Sequence, residues 1–500
     1  MIKVTGKNFI AGEKSAKGKN SYSSTNPKTL EKSKIKFVDA TIDEINKALS
    51  KSEEAFDQIP KEKIPVFLKE ISKQIMKLGD QLLQVGDFET ALGITRLTNE
   101  RKRTCNQLEA FADFIKKDSY LELSIDTKDA KRTPPKPDIR RMLIPIGSVV
   151  VFPASNFPFA FGVCGGDTAS ALAAGCPVVV KSHPSHPMTS ELFAYAVNKA
   201  IEICNFPKGV FSMIHGKKVQ VSKELVLHPK VEAIGFTGSL SAGRAIYDLA
   251  ATREKPIPVF AEMGSINPIF VIKIRSDTAE QIASSITLGT GQFCTKPGVV
   301  FVKEKDSKQL IKDVVNKLKE KSSGVLLNEN IRKGLLQIVD KTKETKNVDI
   351  LLGGCEIKNK NSFENTVFVT NSKTFLKNKN IQKEHFGPVA IFVKCKDNKD
   401  FIEIAKNLQG QLTGTIHLDD EDIKDIKPLF SEIIKKVGRI IINGVPTGVE
   451  VCKSMNHGGP YPATTSIHFT SVGMYSIKRF LRPIAFQNIP EKLLPKELIK

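Results

Sequence analysis

Residues 148–181 read SVVVFPASNFPFAFGVCGGDTASALAAGCPVVVK, which is an apolar run, a proline-bracketed loop, a small-residue stretch and a second apolar run. Continuous valine runs such as 149–151 are typical of parallel strands that are buried on both faces. The small-residue stretch between the glycines has the length and composition of a helix. The order predicts a strand, a helix and a parallel strand joined by a right-handed crossover.

The same alternation continues downstream to residue 262 and resumes from about 269 to 442. Repeated strand–helix units predict parallel sheets, so the predicted fold class is α/β with more than one module. Upstream, residues 41–118 have apolar positions at helical spacing, with Thr41 as a candidate N-cap. The basic, proline-rich segment 127–141 is typical of an extended excursion or linker.

The composition argues against several classes of protein. The formal net charge is +21, but lysines are interleaved with acids, as in residues 302–321, which is typical of solvated helix faces rather than of a nucleic-acid interface. The cysteines form no C-x-x-C pair and no secretory signal opens the chain, so we expect reduced thiols in the cytoplasm. Residues 142–166 are uncharged, yet Pro145, Pro153 and Pro158 argue against a membrane-spanning helix.

Polar residues follow several of the predicted strands. Open parallel sheets bind ligands outside the carboxyl ends of their strands, where helix N-termini attract anions. Asn156 and Lys181 lie at two of these ends, Glu262 lies at another, and Ser239 in the turn 238–243 is a candidate helix cap. Each has an ordinary alternative, such as an asparagine that caps a turn or a lysine that extends to solvent.

Cys294 lies in GQFCTKPG, residues 291–298, directly before an apolar run. We expect this glycine-flanked bend to be exposed, so that its thiol is a candidate nucleophile, with a structural thiol as the alternative. His183 and His186 form the one close histidine pair of the sequence, and no acid or cysteine stands at ligand spacing from them. The sequence therefore predicts no metal site.

Six short motifs together resemble the aldehyde dehydrogenase superfamily. They are ASNFP, VVVK, FTGS, EMGS, GQFC and EHFGP, and their order and spacing match over essentially the whole chain. Longer strings, including GGDTASALAAGCPVVVKSHPSHP, VPTGVEVC and HGGPYPATT, are similar to the 2-oxoglutarate semialdehyde (2,5-dioxovalerate) dehydrogenases and to related fatty aldehyde dehydrogenases. The resemblance implies a Rossmann-like cofactor domain, an α/β catalytic domain and a small β oligomerisation arm.

The resemblance also implies a role for each matching position. Cys294 would be the nucleophile, Glu262 the general base, and the Asn156 amide with the Cys294 backbone N–H would bind the oxyanion. The positions that imply cofactor binding are Lys181, Gly238, Ser239, Gly243, Glu384 and Phe386. The positions that we expect to line the substrate tunnel are Phe157, Phe161, Cys164 and Phe293.

Boundaries and assembly follow from the same resemblance. It implies an NAD(P)-binding domain in residues 1–126 and 146–262, a catalytic domain in 263–440, and an oligomerisation arm with the C-terminal segment in 127–145 and 441–500. A homodimer or homotetramer is expected. Pro184 stands where NAD-selective relatives usually carry an acid, so the cofactor is NADP or NAD, with NADP favoured.

The function that this resemblance implies is the oxidation of an aldehyde to a carboxylate through a cysteine thiohemiacetal and thioester. The leading substrate is 2-oxoglutarate semialdehyde, and the first alternative is a medium-chain or long-chain fatty aldehyde. A CoA-acylating enzyme is a minor alternative, because such enzymes typically lack the hydrolytic base. A non-catalytic scaffold with the same fold is the alternative from a different class.

Overall fold

The computed structural model describes residues 1–358 and 360–499. Region 41–118 contains four separate helices, as the periodicity predicts. The first helix begins at Thr41, whose Oγ1 accepts a hydrogen bond from the Glu44 backbone N–H at 3.2 Å, while the Glu44 carboxylate accepts one from the Thr41 N–H at 2.9 Å. The N-terminal elements are β1 (Asn8–Ile10), β2 (Glu13–Ser15), β3 (Ser21–Tyr22), β4 (Phe37–Val38), α1 (Ile42–Phe56), α2 (Ile64–Lys77), α3 (Gly79–Thr90) and α4 (Ile94–Phe114).

The predicted strand–helix alternation forms the first sheet, whose order is β11-β10-β7-β8-β9-β1-β2. The five strands from β7 to β11 are parallel, whereas β1 joins the edge antiparallel to β9. The elements of this part are β5 (Ser124–Asp126), β6 (Ile139–Pro145), β7 (Val149–Phe152), α5 (Gly166–Ala174), β8 (Val178–Lys181), α6 (Pro187–Cys204), β9 (Phe211–Ile214), α7 (Val219–Leu227), β10 (Ala233–Thr237), α8 (Leu240–Ala251) and β11 (Val259–Glu262).

The valine run of β7 is buried on both faces of this sheet, as predicted. Val149 and Val151 pack in one core with residues of α2, α4 and α6, whereas Val150 and Phe152 pack in another with residues of α1 and α7. Two covered faces explain why neither side of the strand carries a polar residue.

The second strand–helix block forms a separate sheet with the order β14-β17-β18-β13-β12-β19-β20, in which all pairs except β14 with β17 are parallel. Its elements, with the last strand of the chain, are β12 (Ile269–Val271), α9 (Thr278–Thr287), β13 (Val299–Lys303), α10 (Glu304–Glu320), α11 (Glu329–Lys343), β14 (Asp349–Leu352), β15 (Glu356–Ile357), β16 (Ser362–Phe363), β17 (Thr366–Asn371), α12 (Ser372–Lys377), β18 (Val389–Cys395), α13 (Asn398–Asn407), β19 (Gln411–His417), α14 (Ile423–Ile433), β20 (Val437–Ile442) and β21 (Leu481–Gln487).

A third, three-stranded sheet lies outside these two, with the order β21-β6-β5. β6 pairs antiparallel with β21 along its whole length, from Ile139 opposite Gln487 to Pro145 opposite Leu481. The basic segment before β6 is thus the entry to a small antiparallel arm that joins the chain's middle to its C-terminal end.

The uncharged stretch 142–166 is divided as expected among the end of β6, β7, a loop and the start of α5. In the part of the chain that the structure describes, no helix combines the length and the apolar character that a bilayer span requires.

A buried ion pair ties α5 to the C-terminal segment. Arg479 Nη1 lies 2.7 Å from Asp167 Oδ1, and both side chains are almost inaccessible to solvent. Arg479 also donates to Ser170 Oγ at 3.2 Å and to the Ser476 carbonyl at 3.1 Å. The guanidinium is therefore paired and hydrogen-bonded, as a buried charge must be.

We expect Arg479→Met to destabilise the protein by about 3–5 kcal/mol, because it leaves the Asp167 carboxylate buried without its counter-charge. Chemical denaturation monitored by circular dichroism measures the change. The double variant Arg479→Met/Asp167→Leu is the control, and it should recover most of the loss. Equal stability of the wild type and Arg479→Met would contradict this account.

Candidate active site

A cleft of about 1620 Å³ runs along the carboxyl ends of β7, β8, β10 and β11 and reaches residues of the second sheet's module. Most of the residues expected from the sequence meet in this cleft. Those that line it are Asn156, Phe157, Phe161, Lys181, Gly238, Ser239, Glu262, Cys294, Glu384 and Phe386.

Three of the expected residues lie elsewhere. Cys164 is buried in the core on one face of the first sheet and lines no described cavity, which corrects its expected place in the tunnel. Gly243 is buried where α8 packs on the sheet, and a Cβ there would lie 2.7 Å from Met263 Sδ. Phe293 lines a smaller neighbouring cavity, which shares Phe157 with the cleft.

Cys294 lies in the loop before β13 and is half-buried, not fully exposed as its glycine-flanked context suggests. Burial raises the pKa of its thiol well above the ordinary value, and the charges of Glu262 and Glu384 raise it further. The thiol is therefore protonated at neutral pH, so that attack on a carbonyl requires a base beside it.

Asn267 holds the backbone around this cysteine. Its Nδ2 donates to the carbonyls of Cys294 at 2.7 Å and Lys296 at 3.0 Å, and its Oδ1 accepts from Thr413 Oγ1 at 2.9 Å. Asn267 is fully buried and has a positive φ of 44°, which asparagine tolerates better than most residues. We infer that it is a positioning residue that fixes the Cys294 loop against the second sheet.

His457 completes a compact cluster with Cys294 and Glu262. Its Nε2 lies 3.5 Å from Cys294 Sγ and 3.5 Å from Glu262 Oε1. The loop that carries it is fixed by a hydrogen bond from the Met263 N–H to the Ala463 carbonyl at 2.8 Å. A neutral imidazole with its proton on Nδ1 can accept the thiol proton at Nε2, so the cluster contains a base within reach of the nucleophile.

Asn156 is buried beside this cluster, and its Nδ2 donates to the Gln292 carbonyl at 2.9 Å. An amide nitrogen carries two hydrogens, so the second remains to bind an oxyanion. Glu100 fixes the following residues, because its Oε1 accepts from the N–H groups of Phe159 at 2.8 Å and Ala160 at 3.0 Å. A preorganised donor of this kind contributes about 3–4 kcal/mol to transition-state stabilisation.

The far part of the cleft has the features of a nucleotide site. Lys181 ends β8, and burial lowers the pKa of its ammonium to about 8. Ser239 caps α8 by accepting from the Ala242 N–H at 3.3 Å, so the helix N-terminus faces the cleft. A Cβ on Gly238 would lie 2.7 Å from the Phe236 ring, which explains the glycine before this cap.

Glu384 lies near the catalytic cluster and is half-buried. Burial raises the pKa of its carboxyl group, against the opposing charge of Lys296. Lys296 Nζ donates to the Val389 carbonyl at 2.7 Å, and Gly264 leaves room for the carboxylate, because a Cβ there would lie 2.1 Å from Glu384 Oε2. A half-buried carboxylate that lines the cleft here fits a ribose hydroxyl pair, so the cleft has donors and acceptors suited to a pyridine dinucleotide.

These features together are those of an enzyme that oxidises aldehydes. The family model described as "Aldehyde dehydrogenase family" matches residues 14–481. The chain belongs to the aldehyde dehydrogenase family.

Two curated relatives indicate a narrower class. The chain is 40% identical to alpha-ketoglutaric semialdehyde dehydrogenase 2 from Azospirillum brasilense, over 91% of this chain and 89% of that protein. It is 38% identical to alpha-ketoglutaric semialdehyde dehydrogenase from Acinetobacter baylyi, over 100% of this chain and 96% of that protein.

The fold is also that of solved structures with low sequence identity. A crystal structure of a betaine aldehyde dehydrogenase point mutant from Staphylococcus aureus in complex with NAD+ superimposes with a TM-score of 0.83 at 20% identity, covering 99% of this chain and 100% of that chain. The expected α/β aldehyde dehydrogenase fold is confirmed.

Several residues of the site were not assigned a role from the sequence, although two of them, His457 and Lys296, stand in strings quoted above. His457 stands in HGGPYPATT, Lys296 in GQFCTKPG, Asn267 in GSINP and Glu100 in LTNERKRTC. A histidine within a glycine-rich string is a usable signal for His457. Lys296 and Asn267 act on backbone carbonyls and give no such signal.

Proposed function

We propose that the protein oxidises 2-oxoglutarate semialdehyde to 2-oxoglutarate, with NAD(P) as the hydride acceptor and water as the oxygen donor. The cluster of Cys294, His457 and Glu262, in a chain about two-fifths identical to two alpha-ketoglutaric semialdehyde dehydrogenases, is the observation that supports this most strongly.

The first step is activation of the nucleophile. His457 Nε2, at 3.5 Å, takes the Cys294 proton as the sulfur attacks the aldehyde carbon and forms the C–S bond. The carbonyl π electrons move to oxygen, and the Asn156 amide with the Cys294 N–H stabilises the oxyanion of the thiohemiacetal.

The cofactor would be held by Lys181 at the adenosine end, by Gly238 and Ser239 at the pyrophosphate, and by Glu384 with Phe386 at the nicotinamide end. A nicotinamide bound there would supply the hydride acceptor needed for oxidation of the thiohemiacetal to a thioester. Helix α8 presents its N-terminal N–H groups to the anionic part, since Ser239 occupies the cap.

Hydrolysis of the thioester requires a base for water. Glu262 Oε2 is buried and has no hydrogen-bond partner in the described part of the chain, residues 1–358 and 360–499. This oxygen is available to take a proton from an attacking water molecule, after which the C–S bond breaks, the carboxylate leaves and Cys294 is regenerated.

The adenosine end favours acceptance of NADP. Pro184, three residues after Lys181, lines the cleft and presents no carboxylate to a 2′-phosphate. We expect Pro184→Glu to lower kcat/KM for NADP relative to NAD by about tenfold or more, because a carboxylate repels the phosphate and binds the ribose hydroxyls. Steady-state kinetics with both cofactors measure the ratio, with Pro184→Gln as the uncharged control. An unchanged ratio of kcat/KM for NADP to that for NAD would show that the ribose 2′-position of the cofactor does not lie beside residue 184.

We also propose that residues 127–145 and 441–500 form an oligomerisation arm beside an NAD(P)-binding domain (1–126 and 146–262) and a catalytic domain (263–440). The protein would be a cytoplasmic homodimer or homotetramer. Pairing of β6 with β21 supports the arm, because it forms a sheet outside both larger ones.

Product analysis tests the proposed reaction. Purified protein, NADP and 2-oxoglutarate semialdehyde, without CoA, should yield 2-oxoglutarate and reduced cofactor in equal amounts, identified by mass spectrometry. Dependence on CoA would indicate the acylating alternative. Absence of turnover with any aldehyde would favour a scaffold.

A further inference from the structure

A second cavity, of about 580 Å³, adjoins the cleft at Phe157. One wall is the side of α4 that carries Arg96, Glu100 and Arg103, and the opposite wall includes Phe293, the residue before the nucleophile. The cavity therefore shares Phe157 with the cleft and includes the residue next to Cys294, but none of the nucleotide-end residues Lys181, Gly238 and Ser239. The charged residues in its lining are Arg96, Arg103 and Glu100, so the lining carries a net positive charge that suits an organic anion.

Arg103 lines this cavity and has a donor that no described residue uses. Its Nη2 donates to the Val449 carbonyl at 3.3 Å, and its guanidinium carbon lies 5.4 Å from the centre of the Phe161 ring. Its Nη1 is buried and has no hydrogen-bond partner among residues 1–358 and 360–499. A buried guanidinium N–H without an acceptor is costly, and a carboxylate ligand would satisfy it.

Two other arginines, Arg96 and Arg439, are weaker candidates for binding a ligand. Arg96 already makes contacts within the protein, and Arg439 lies outside the cavity. Arg96 Nη2 donates to the Asn156 carbonyl at 2.7 Å, and its guanidinium lies about 5 Å from the rings of Phe157 and Phe293, so it holds the oxyanion loop. Arg439 donates to two carbonyls of the loop before Val449 and lines neither cavity, although its Nε also has no acceptor among the residues that the structure describes.

The Arg103 guanidinium lies within electrostatic range of Glu100, Glu450 and the Cys294 sulfur. Burial lowers the pKa of its guanidinium, whereas the charges of Glu100, Glu450 and a Cys294 thiolate raise it. An interaction with the thiolate requires that the two groups lie within electrostatic reach of each other. The negative charge of Glu100 is not devoted to Arg103. The Glu100 carboxylate also accepts two backbone hydrogen bonds and lies 4.0 Å from Arg96.

We propose that Arg103 binds the carboxylate of the substrate through Nη1, with Phe161 beneath the chain and the aldehyde carbon at Cys294. This rests on the proposed function and deepens it, because it defines the substrate class as aldehydes that carry a carboxylate at the opposite end. An uncharged aldehyde would leave the buried guanidinium unpaired, which is how a site rejects an analogue that lacks a hydrogen-bonding group.

The test compares kcat/KM for 2-oxoglutarate semialdehyde with that for pentanal in the wild type and in Arg103→Gln. The preference for the semialdehyde should fall by about 100-fold, mainly through KM, because binding of a charge partner is lost. Arg103→Lys keeps the charge without the fork and should lose about tenfold. Lys102→Gln removes an exposed cation from the same helix and is the matched control, which should keep the wild-type ratio.

Equal losses with both aldehydes, or no change in the ratio, would overturn the role of Arg103. Calorimetric titration of 2-oxoglutarate into the NADP-bound proteins gives a readout without turnover, in which wild type should bind and Arg103→Gln should bind about 100-fold more weakly. The proposed function fails separately, when the wild type prefers decanal to the semialdehyde. In that case succinic semialdehyde against butanal still measures whether Arg103 selects carboxylates.

Discussion

The Cys294→Ala protein is expected to lose aldehyde oxidation by about 10⁴-fold or more, because no other described side chain can form the thiohemiacetal in the cleft. The fold should persist, since the residue is only half-buried and its loop is held through backbone carbonyls by Asn267. Reduced-cofactor absorbance measures the activity, and calorimetric titration with NADP measures cofactor binding, which should remain.

Cys355→Ala is the matched control, because Cys355 is an exposed thiol outside the cleft. It should retain wild-type kinetics. A Cys294→Ala protein with more than about one-hundredth of the wild-type rate would assign the nucleophile to another residue.

The Glu262→Gln protein should separate the two halves of the reaction. We propose His457, instead of the Glu262 expected from the sequence, as the base for the thiol, so hydride transfer should continue for one turnover and then stop at the thioester. The steady-state rate should fall by about 10²–10⁴-fold, the contribution of a general base. Stopped-flow absorbance should show a burst equal to the enzyme concentration, and intact-protein mass spectrometry should show an acyl adduct on Cys294.

Glu254→Gln provides a control at an exposed carboxylate and should turn over normally. Loss of the burst together with the steady-state rate would show that Glu262 acts before hydride transfer, as the base for Cys294, and would contradict the assignment of that role to His457.

The sequence predicted the fold well where local patterns determine it. The valine runs of β7 and β8 are buried on both faces because helices cover each side of the sheet. Thr41 and Ser239 cap their helices as expected, since capping depends on residues within one turn. The three-stranded arm is harder to predict from local patterns, because β6 pairs with β21, which lies more than three hundred residues away along the chain.

The motifs of the sequence predicted most residues of the site, but they did not predict the contacts between residues that are far apart along the chain. His457 lies 163 residues from Cys294 along the chain, and Arg103 lies 346 residues from the carbonyl that it contacts. No local pattern reports contacts between residues so far apart along the chain. Cys164 is a different case, because its position in the sequence predicts that it lines the substrate tunnel, whereas its side chain packs in the core.

The most direct measurement for the whole account is the ratio of kcat/KM for 2-oxoglutarate semialdehyde to that for decanal, with NADP in excess and Cys294→Ala as the blank. The account predicts a ratio above about ten, because the semialdehyde's carboxylate pairs with the buried cation of Arg103 and decanal has none. A ratio below one would contradict the substrate assignment and would identify the protein as a fatty aldehyde dehydrogenase that uses the same cysteine.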